Sequence, residues 1–396
     1  MKLVEITLWT LIFVVFYAYI GYGIILYLLV TLKRLLKIGA EKHIQHDYQP
    51  EVTLFVAAYN EKDYIKDKLE NSFALKYPKN KVKHVWTTDG SDDGTPDELR
   101  KYEGVEVYHE DARGGKIGAM NRGMQFVTSP IVIFSDGNTM LGLDSIQEIV
   151  NLFKDPKVGC VSGEKRIYQK DKDTAAGAGE GIYWKYESTL KKWDYELYSV
   201  VGAAGELFAI RRELWEEVEK DTLLDDFIIS LRVAMKGYKI GYNPDAYAIE
   251  SSSANVKEEL KRKVRISAGG IQSVIRLKSL LNPFRYGILS FQYISHRVLR
   301  WTLAPFSLPI IFILNLLLAI SESFSLSGFY SILLLLQTIF YAMALLGWYL
   351  ENREIKVKLL FVPYYFFIMN FSVFLGLKRY LKGSQSVNWE RAKRAQ

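Results

Sequence analysis

Four stretches of this chain carry no charged side chain over lengths that a lipid bilayer selects for: residues 6–30, 301–320, 329–350 and 359–377 run 25, 20, 22 and 19 positions. About 20 apolar residues in a helix cross a hydrocarbon core of about 30 Å. The four lie towards the two ends of 396 residues, so the chain cannot be one soluble domain. Lys33, Arg34 and Lys37 follow the first run, and the preference of basic loops for the cytoplasm then puts the middle of the chain there. A cleaved signal peptide fits residues 6–30 poorly, because the run is too long and no small-residue cleavage site follows it. Three crossings at the far end would carry the basic tail, residues 378–396, to the outside, against the same charge rule. One of those runs is a candidate for a re-entrant or interfacial segment: the first contains Pro305 and Pro309, and the last is the shortest.

Between the apolar ends the composition is that of a soluble domain. Short runs rich in β-branched residues at 52–58, 82–88, 105–108 and 131–135 alternate with helical stretches near 62–74, 95–101 and 115–127. That pattern predicts βαβ units and a mostly parallel sheet, with ligands at the carboxyl ends of the strands. The expected organisation is a transmembrane anchor at 1–37, an α/β domain at 49–256, basic amphipathic helices at 257–300, a C-terminal transmembrane region of about three spans at 301–377, and the basic tail. A hydrophobic share of 49% excludes disorder, and 24% charged residues exclude a chain wholly buried in lipid. The net charge of +7 would suit a nucleic acid, a membrane or an anionic substrate. Its basic clusters flank the apolar runs and fill 257–278, where phospholipid headgroups explain them better, so membrane lipid is expected as a partner and nucleic acid is not. The lone Cys160 and five histidines leave no disulfide and no zinc-type cluster, so any metal is expected on oxygen ligands.

Acidic and polar groups follow three of the strands: Tyr59-Asn60-Glu61, then Asp89-Gly90-Ser91-Asp92-Asp93-Gly94-Thr95, then Asp136-Gly137-Asn138. Converging on one crevice, one carboxylate can accept from a base or ribose and another can hold a divalent cation. Taken alone, Asp89-Gly90-Ser91 also reads as a turn with a helix cap at Ser91 or Asp93. Arg113-Gly114-Gly115-Lys116 opens a helix with backbone N–H groups and an ammonium suited to a phosphate, without Walker spacing; a flexible turn with a solvated lysine is the plainer account. Asp225-Asp226 begin an amphipathic run that ends at Gly237. Carboxylates there suit the helix dipole, and one can equally be a general base for an attacking sugar hydroxyl. Arg262-Lys263-Val264-Arg265 lies in a stretch patterned like a helix on a membrane surface, and its arginines could also neutralise a diphosphate.

In this order the motifs, together with Gly202-Ala203-Ala204-Gly205, resemble the membrane-bound inverting glycosyltransferases of family 2, the group of cellulose, hyaluronan and poly-N-acetylglucosamine synthases. The resemblance covers about residues 50–300 and the flanking runs. It implies an α/β nucleotide-sugar-binding domain, GT-A-like with a mostly parallel sheet, inserted between transmembrane helices. It implies that Ala58, Tyr59 and Glu61 line the nucleoside pocket, Asp89 binds the uracil or ribose, and Lys116 sits by the diphosphate. Asp136 would match the first acid of Asp-x-Asp, which holds nucleotide and metal, with Asn138 at the second. Gly202, Ala203 and Gly205 would shape the acceptor side. Asp226, beside Asp225, would be the catalytic base, and Arg262 and Arg265 would take the outer positions of Gln-x-x-Arg-Trp. The implied cofactor is Mg²⁺ or Mn²⁺, and the implied partners are a nucleotide-sugar donor and a glycan or lipid-linked acceptor, with an accessory subunit left open.

Several positions depart from the family pattern. Thr88 stands for the first Asp of Asp-Asp-Gly-Ser. Asn138, being neutral, should hold a cation less strongly than Asp. Arg262 stands for Gln, and Ile266 stands for the Trp on which processive synthases seat the polymer, which favours single or short additions. The several apolar runs and the basic amphipathic stretch favour a polymer or lipid-linked substrate. Trp184, Trp193 and Trp301 are aromatic alternatives, although packing is the commoner role for each. The expected activity is inverting hexosyl transfer from a nucleoside-diphosphate sugar, with a UDP-sugar first, to a glycan or lipid-linked acceptor at the cytoplasmic membrane face. Exopolysaccharide or cell-envelope glycan synthesis is the expected setting. The alternatives are single-sugar transfer to a polyprenyl-linked acceptor and, more remotely, a non-catalytic nucleotide-binding membrane protein. A transporter would need intramembrane charges, which the four runs lack.

Overall fold

A computed structural model of the chain describes residues 1–38, 48–168, 175–251, 256–325, 327–353, 355 and 357–383. Eight strands, β1 (Val52–Ala58), β2 (Val82–Asp89), β3 (Val105–Glu110), β4 (Ile131–Asp136), β5 (Met140–Leu141), β6 (Val158–Tyr168), β7 (Leu207–Arg211) and β8 (Lys239–Ser251), form one sheet. Their order is β3-β2-β1-β4-β7-β6-β8-β5. β1 to β4 run parallel, β7 is antiparallel to β4 and β6, β6 and β8 are parallel, and β5 is an antiparallel edge. Every residue of β1 is buried, as in a strand covered on both faces. Register does the positioning: Ala57 pairs with Asp136, Ala58 with Thr88, and Asp89 with Glu110. The carboxyl ends of these strands therefore finish side by side. The four strands predicted from the β-branched runs are present within two residues of their expected ends.

The first apolar run lies in α1 (Lys2–Leu35), a helix of 34 residues. At 1.5 Å per residue it is about 50 Å long, more than a bilayer core requires. Its first half packs on α7 (Leu303–Ser321), with Leu8 against Ile311 and Leu318. Its second half leaves the apolar helices and packs on α4 (Ala175–Leu197) of the sheet domain. There the Tyr22 hydroxyl donates to Asp194, Lys33 donates to the carbonyls of Glu196 and Leu197, and Arg34 pairs with Glu196. Between the halves the helix widens into a π turn, Tyr17–Gly21, whose Ala18 and Tyr19 carbonyls accept from Arg300 Nε (2.9 Å) and the Tyr186 hydroxyl (2.8 Å). A π turn frees carbonyls in this way. Arg300 also pairs with Glu187 of α4, and His296 lies between Asp194 (2.6 Å) and Glu187 (3.3 Å). Burial pushes the Glu187 carboxyl up, but Arg300, His296 and Arg297 outweigh it and hold the group well below the usual carboxylate range.

The remaining helices used below are α2 (Lys62–Phe73), α3 (Gly115–Gly123), α5 (Asp225–Met235), α6 (Val256–Arg276), α8 (Phe329–Glu351) and α9 (Lys358–Leu381). Four helices, α1, α7, α8 and the last, are long and apolar enough to cross a membrane. α9 touches the other three. It crosses α1 at Tyr19, whose hydroxyl donates to Asn370 at 2.6 Å, and the first turn of α7, where the Phe306 and Phe374 rings lie 4.7 Å apart. It packs along the second half of α8, with Phe366 5.8 Å from Phe340, Tyr364 against Gly347 and Phe371 6.1 Å from Trp348. Its opposite flank carries α6 for three turns: Lys263 Nζ is 3.1 Å from the Tyr365 hydroxyl, Ser267 bonds Ser372 at 3.1 Å, and Ala268 lies against Gly376. Of the basic tail, residues 384–396 lie outside the described residues.

Replacing Arg300 by Met leaves Glu187 buried beside a single imidazole and a more distant guanidinium, and removes the donor to the π turn. Breaking a buried pair in this way costs roughly 3–5 kcal/mol. Thermal unfolding of the detergent-purified Arg300→Met variant should show that loss as a lowered midpoint.

Candidate active site

The crevice at the strand ends is built around one ammonium. Lys116, in the first turn of α3, places Nζ 2.9 Å from Asp136 Oδ1 at the end of β4 and 3.2 Å from Asp225 Oδ2 at the start of α5. Burial pulls this lysine down, but Asp136, Asp225 and Asp226 outweigh it and hold the ammonium above its usual value. Asp226 meets the opposite balance: burial, then Asp225, push its carboxyl up to about 7 against the pull of Lys116, and Glu206 adds to the rise. The 202–205 turn comes within contact distance of the same group. A methyl group at Gly205 would lie 3.2 Å from Asp226 Oδ2, and Gly202 adopts φ +85° with the Phe227 ring where a side chain would stand. Ala203 N donates to Ser230 Oγ (3.0 Å), which donates to the Asp226 carbonyl (2.6 Å), so the turn and α5 move together.

On the other side of Lys116 lie the groups expected to meet a nucleoside. The Arg113 guanidinium stacks 3.7 Å over the Tyr59 ring. Both oxygens of Asp89 accept from backbone N–H groups, Gly114 at 3.0 Å and Gly115 at 2.7 Å, so this buried carboxylate shapes the Arg113–Gly115 turn. Gly115 turns there with φ +77°, a conformation that side chains rarely adopt. Glu61 is buried with its stem against Gly137 of the Asp136-Gly137-Asn138 turn. The Ala58 methyl group packs into the core with Val56, Ile65 and Leu69. Asn60 and Asp92 bond reciprocally at 2.7 and 3.0 Å, and Asp93 accepts from the Lys62 and Thr95 N–H groups, while the N-cap position of the helix that starts at Thr95 is Gly94 rather than Ser91 or Asp93.

Arg262 and Arg265 stand apart from this cluster. Arg262 is held by Glu259 in a bidentate pair at 3.0 Å, close enough to Glu206 to feel its charge, and Arg265 is exposed. Trp193 packs on Tyr27, and Trp301 lies over Gly270 with its ring 5.1 Å from Phe227; Trp184 is half-buried on α4. Two groups near the crevice carry no sequence signal. Lys68 on α2 is fully buried behind β4, donating to Ser135 Oγ and the Thr139 carbonyl at 2.7 Å each; burial pulls it down to about 7 although Asp136 opposes. Lys165 bridges Glu206 and Glu250, and holds Glu206 low against burial. In the sequence both lysines look like ordinary solvated ones.

The donor set suits a cation that shares its ligands with a substrate. Asp136 and Asn138 offer two half-exposed oxygen donors, and among the described residues no group of three acidic, His or Cys side chains forms a cage. Mg²⁺-type ions are commonly held by one or two carboxylates together with substrate phosphates and water.

The parallel β1–β4 core, continued by antiparallel β7, gathers a glycine–lysine turn, a strand-end Asp and a half-buried Asp pair at one crevice in a GT-A-like fold. The chain belongs to the glycosyltransferase-like family 2, which it matches over residues 50–269, and is therefore a glycosyltransferase. It is 28% identical over 236 residues to the poly-beta-1,6-N-acetyl-D-glucosamine synthase of Staphylococcus aureus (strain MSSA476), covering 57% of this chain and 56% of that one. With the enzyme of the same name from Staphylococcus epidermidis it shares 23% over 240 residues, 59% and 57% of the two chains. The chain thus spans little more than half the length of these curated relatives. Among solved structures, the mannosyltransferase PcManGT from Pyrobaculum calidifontis, in complex with GDP-Man and Mn²⁺, superposes with a TM-score of 0.70 over 96% of this chain and 99% of that chain at 22% identity, a shared fold.

Because Asp226 is raised, the folded protein keeps a proton there that the unfolded chain releases from about pH 4 upward. Its contribution to stability is therefore full in acid and declines as the pH rises through about 7. Asp226→Asn, which cannot ionise, should melt a few degrees higher than wild type at pH 8, with a smaller gain at pH 5, in paired thermal unfolding runs.

Proposed function

We propose that this chain transfers a sugar with inversion from a nucleoside-diphosphate sugar, a UDP-sugar first, to a hydroxyl of a glycan or lipid-linked acceptor at the cytoplasmic membrane face. The observation that carries the reading is Asp226: a half-buried carboxyl pushed up to about 7 at the start of α5, against Gly205 and in the field of the ammonium that holds Asp136. A carboxylate so placed takes the proton from the acceptor hydroxyl as its oxygen attacks the anomeric carbon. The C–O bond to the diphosphate breaks on the opposite face, and Lys116 stabilises the charge that develops there. Tyr59 with Arg113, and Glu61, orient the nucleoside, while Asp89 keeps the Gly114–Gly115 N–H groups in register. A Mg²⁺ or Mn²⁺ would be held by Asp136 and Asn138 and would supply Lewis-acid stabilisation of the diphosphate. The staphylococcal relatives are named as polysaccharide synthases, which supports exopolysaccharide or cell-envelope glycan synthesis as the setting. Ile266 in place of the family Trp supports short or single additions, such as to a polyprenyl-linked acceptor.

Three helices, α1, α7 and α8, cross the bilayer in this reading, and α9 lies along its cytoplasmic surface. The support is α6: a helix bearing Glu258, Glu259, Lys261, Arg262 and Arg265 follows α9 from Tyr365 to Gly376, too far for α9 to be immersed. This leaves the tail on the cytoplasmic side and removes the conflict with the charge rule.

Two measurements test these statements. Asp226→Asn should lose about 10²–10⁴-fold in nucleoside-diphosphate release while still binding the nucleotide; full turnover in that variant refutes the base. Single cysteines at Gly383 and Ser325, against the buried Cys160, should react with an impermeant maleimide from opposite sides of sealed vesicles. Labelling of both from one side rejects the three-crossing topology.

A further inference from the structure

The turn that delivers Asp225 and Asp226 has no side-chain cap of its own; the residue before α5 is Leu224. It rests instead on one stripe of α6. Gln272 Oε1 accepts from Leu223 N at 3.0 Å, and its Nε2 donates to the Asp221 carbonyl at 2.9 Å. One turn on, Arg276 donates to Thr222 Oγ1 and Asp221 Oδ2, both at 2.7 Å. One turn back, a methyl group on Gly269 would fall 2.6 Å from Leu224 Cγ and 3.0 Å from Leu223 Cβ, so the glycine leaves the room that these leucines occupy. Residues spaced three and four apart share a helix face. Gln272 is only 4% exposed, and its carbonyl and amide ends are both used on main chain.

The opposite flank of α6 is fixed as firmly. Lys263, Ser267 and Ala268 lie against Tyr365, Ser372 and Gly376 of α9, which in turn rests on α1, α7 and α8. The groups that face the nucleoside and diphosphate, Tyr59, Asp89, Lys116 and Asp136, belong to β1, β2, α3 and β4.

We infer that Gln272, with Arg276 and Gly269, is a positioning residue for the Asp225–Asp226 pair, setting the base against the crevice from the membrane side. The inference rests on the reading of Asp226 as the base. A shift of about 1 Å in a reacting group can cost on the order of 100-fold in rate. The signature is therefore a loss in kcat with donor affinity intact, where plain destabilisation would lower the nucleotide-binding fraction as well.

The test uses the full chain in lipid. Gln272→Leu keeps the volume and removes both hydrogen bonds; it should lower kcat about 10–100-fold, with donor KM and nucleoside-diphosphate Kd within about twofold of wild type. Gln272→Glu keeps the acceptor for Leu223 N and should recover part of the loss. Combining Gln272→Leu with Arg276→Leu should cost less than the product of the single effects, because both act through residues 221–224. Wild-type kcat in Gln272→Leu overturns the inference, and so does a parallel fall of kcat and nucleotide-binding stoichiometry. If Gln272→Leu does not fold, Arg276→Leu, at a half-buried position, reads the same split between kcat and Kd. Asp226→Asn measured alongside separates the two claims. Turnover retained there rejects the base, whereas a dead Asp226→Asn beside a fully active Gln272→Leu rejects only the positioning role.

Discussion

Three carboxylates, Asp136, Asp225 and Asp226, share one crevice, and a single ammonium makes that tolerable. Two like charges about 4 Å apart repel by roughly 4 kcal/mol at an effective dielectric near 20. Lys116 bridges Asp136 and Asp225 directly, leaving Asp226 half-buried with a raised carboxyl. The bridge is possible because three chain segments end at one level. β4 delivers Asp136, the Gly114–Gly115 turn aims α3, and α5 begins opposite them. Asp89, on the neighbouring strand, holds the turn by two main-chain bonds. A diphosphate entering this crevice meets a lysine already committed to carboxylates. In the proposed reading, its binding redistributes the charge around Asp225 and Asp226 and so links donor arrival to the protonation of Asp226.

The framework around the crevice is held from two directions. From one side, the second half of α1 runs along α4, tied by Tyr22, Lys33, Arg34 and the buried set of Glu187, Asp194, His296 and Arg300. Burying these charges is unfavourable unless each finds a partner, and here the π turn of α1 contributes two carbonyls to the pairing. From the other side, α9 carries α6. The sheet domain is thus pinned on membrane helices at two places.

Much of this was legible from residue order. β1 to β4 announce themselves by β-branched runs and by polar groups at their ends, because a parallel strand buried on both faces has no alternation to disguise it. β6 to β8 do not: Val158–Tyr168 mixes Gly163, Glu164, Lys165 and Arg166 into a strand in which Glu164 and Lys165 are paired inside the fold and Arg166 is exposed. For the site, Asp89, Lys116, Asp136 and Asp226 stand out by motif, but what each touches depends on contacts far apart in sequence. Asp89 reads as a nucleotide contact, and its two bonds to the Gly114–Gly115 main chain are a further role that its motif does not show. Lys68, Lys165 and Gln272 sit in segments whose local pattern is that of surface residues, and only the packing of α2 behind β4, of β6 beside β8 and of α6 across residues 221–224 buries them. The apolar run at 359–377 has the composition of a span, and composition carries no information about direction.

The division of labour between supports bears on how the two substrates meet. The residues read as donor-binding hang on the carboxyl ends of the sheet, fixed by strand register. The base hangs on α5, whose approach is set by α6 and, through it, by helices that touch the bilayer. An acceptor attached to lipid or extruded along the membrane would then arrive on the same support that aims the base, while the donor diffuses in from the aqueous side. In such a design the acceptor geometry can follow the membrane frame without disturbing nucleotide recognition. Ile266, one turn before Gly270, lies on the α6 face over which Trp301 packs beside Phe227.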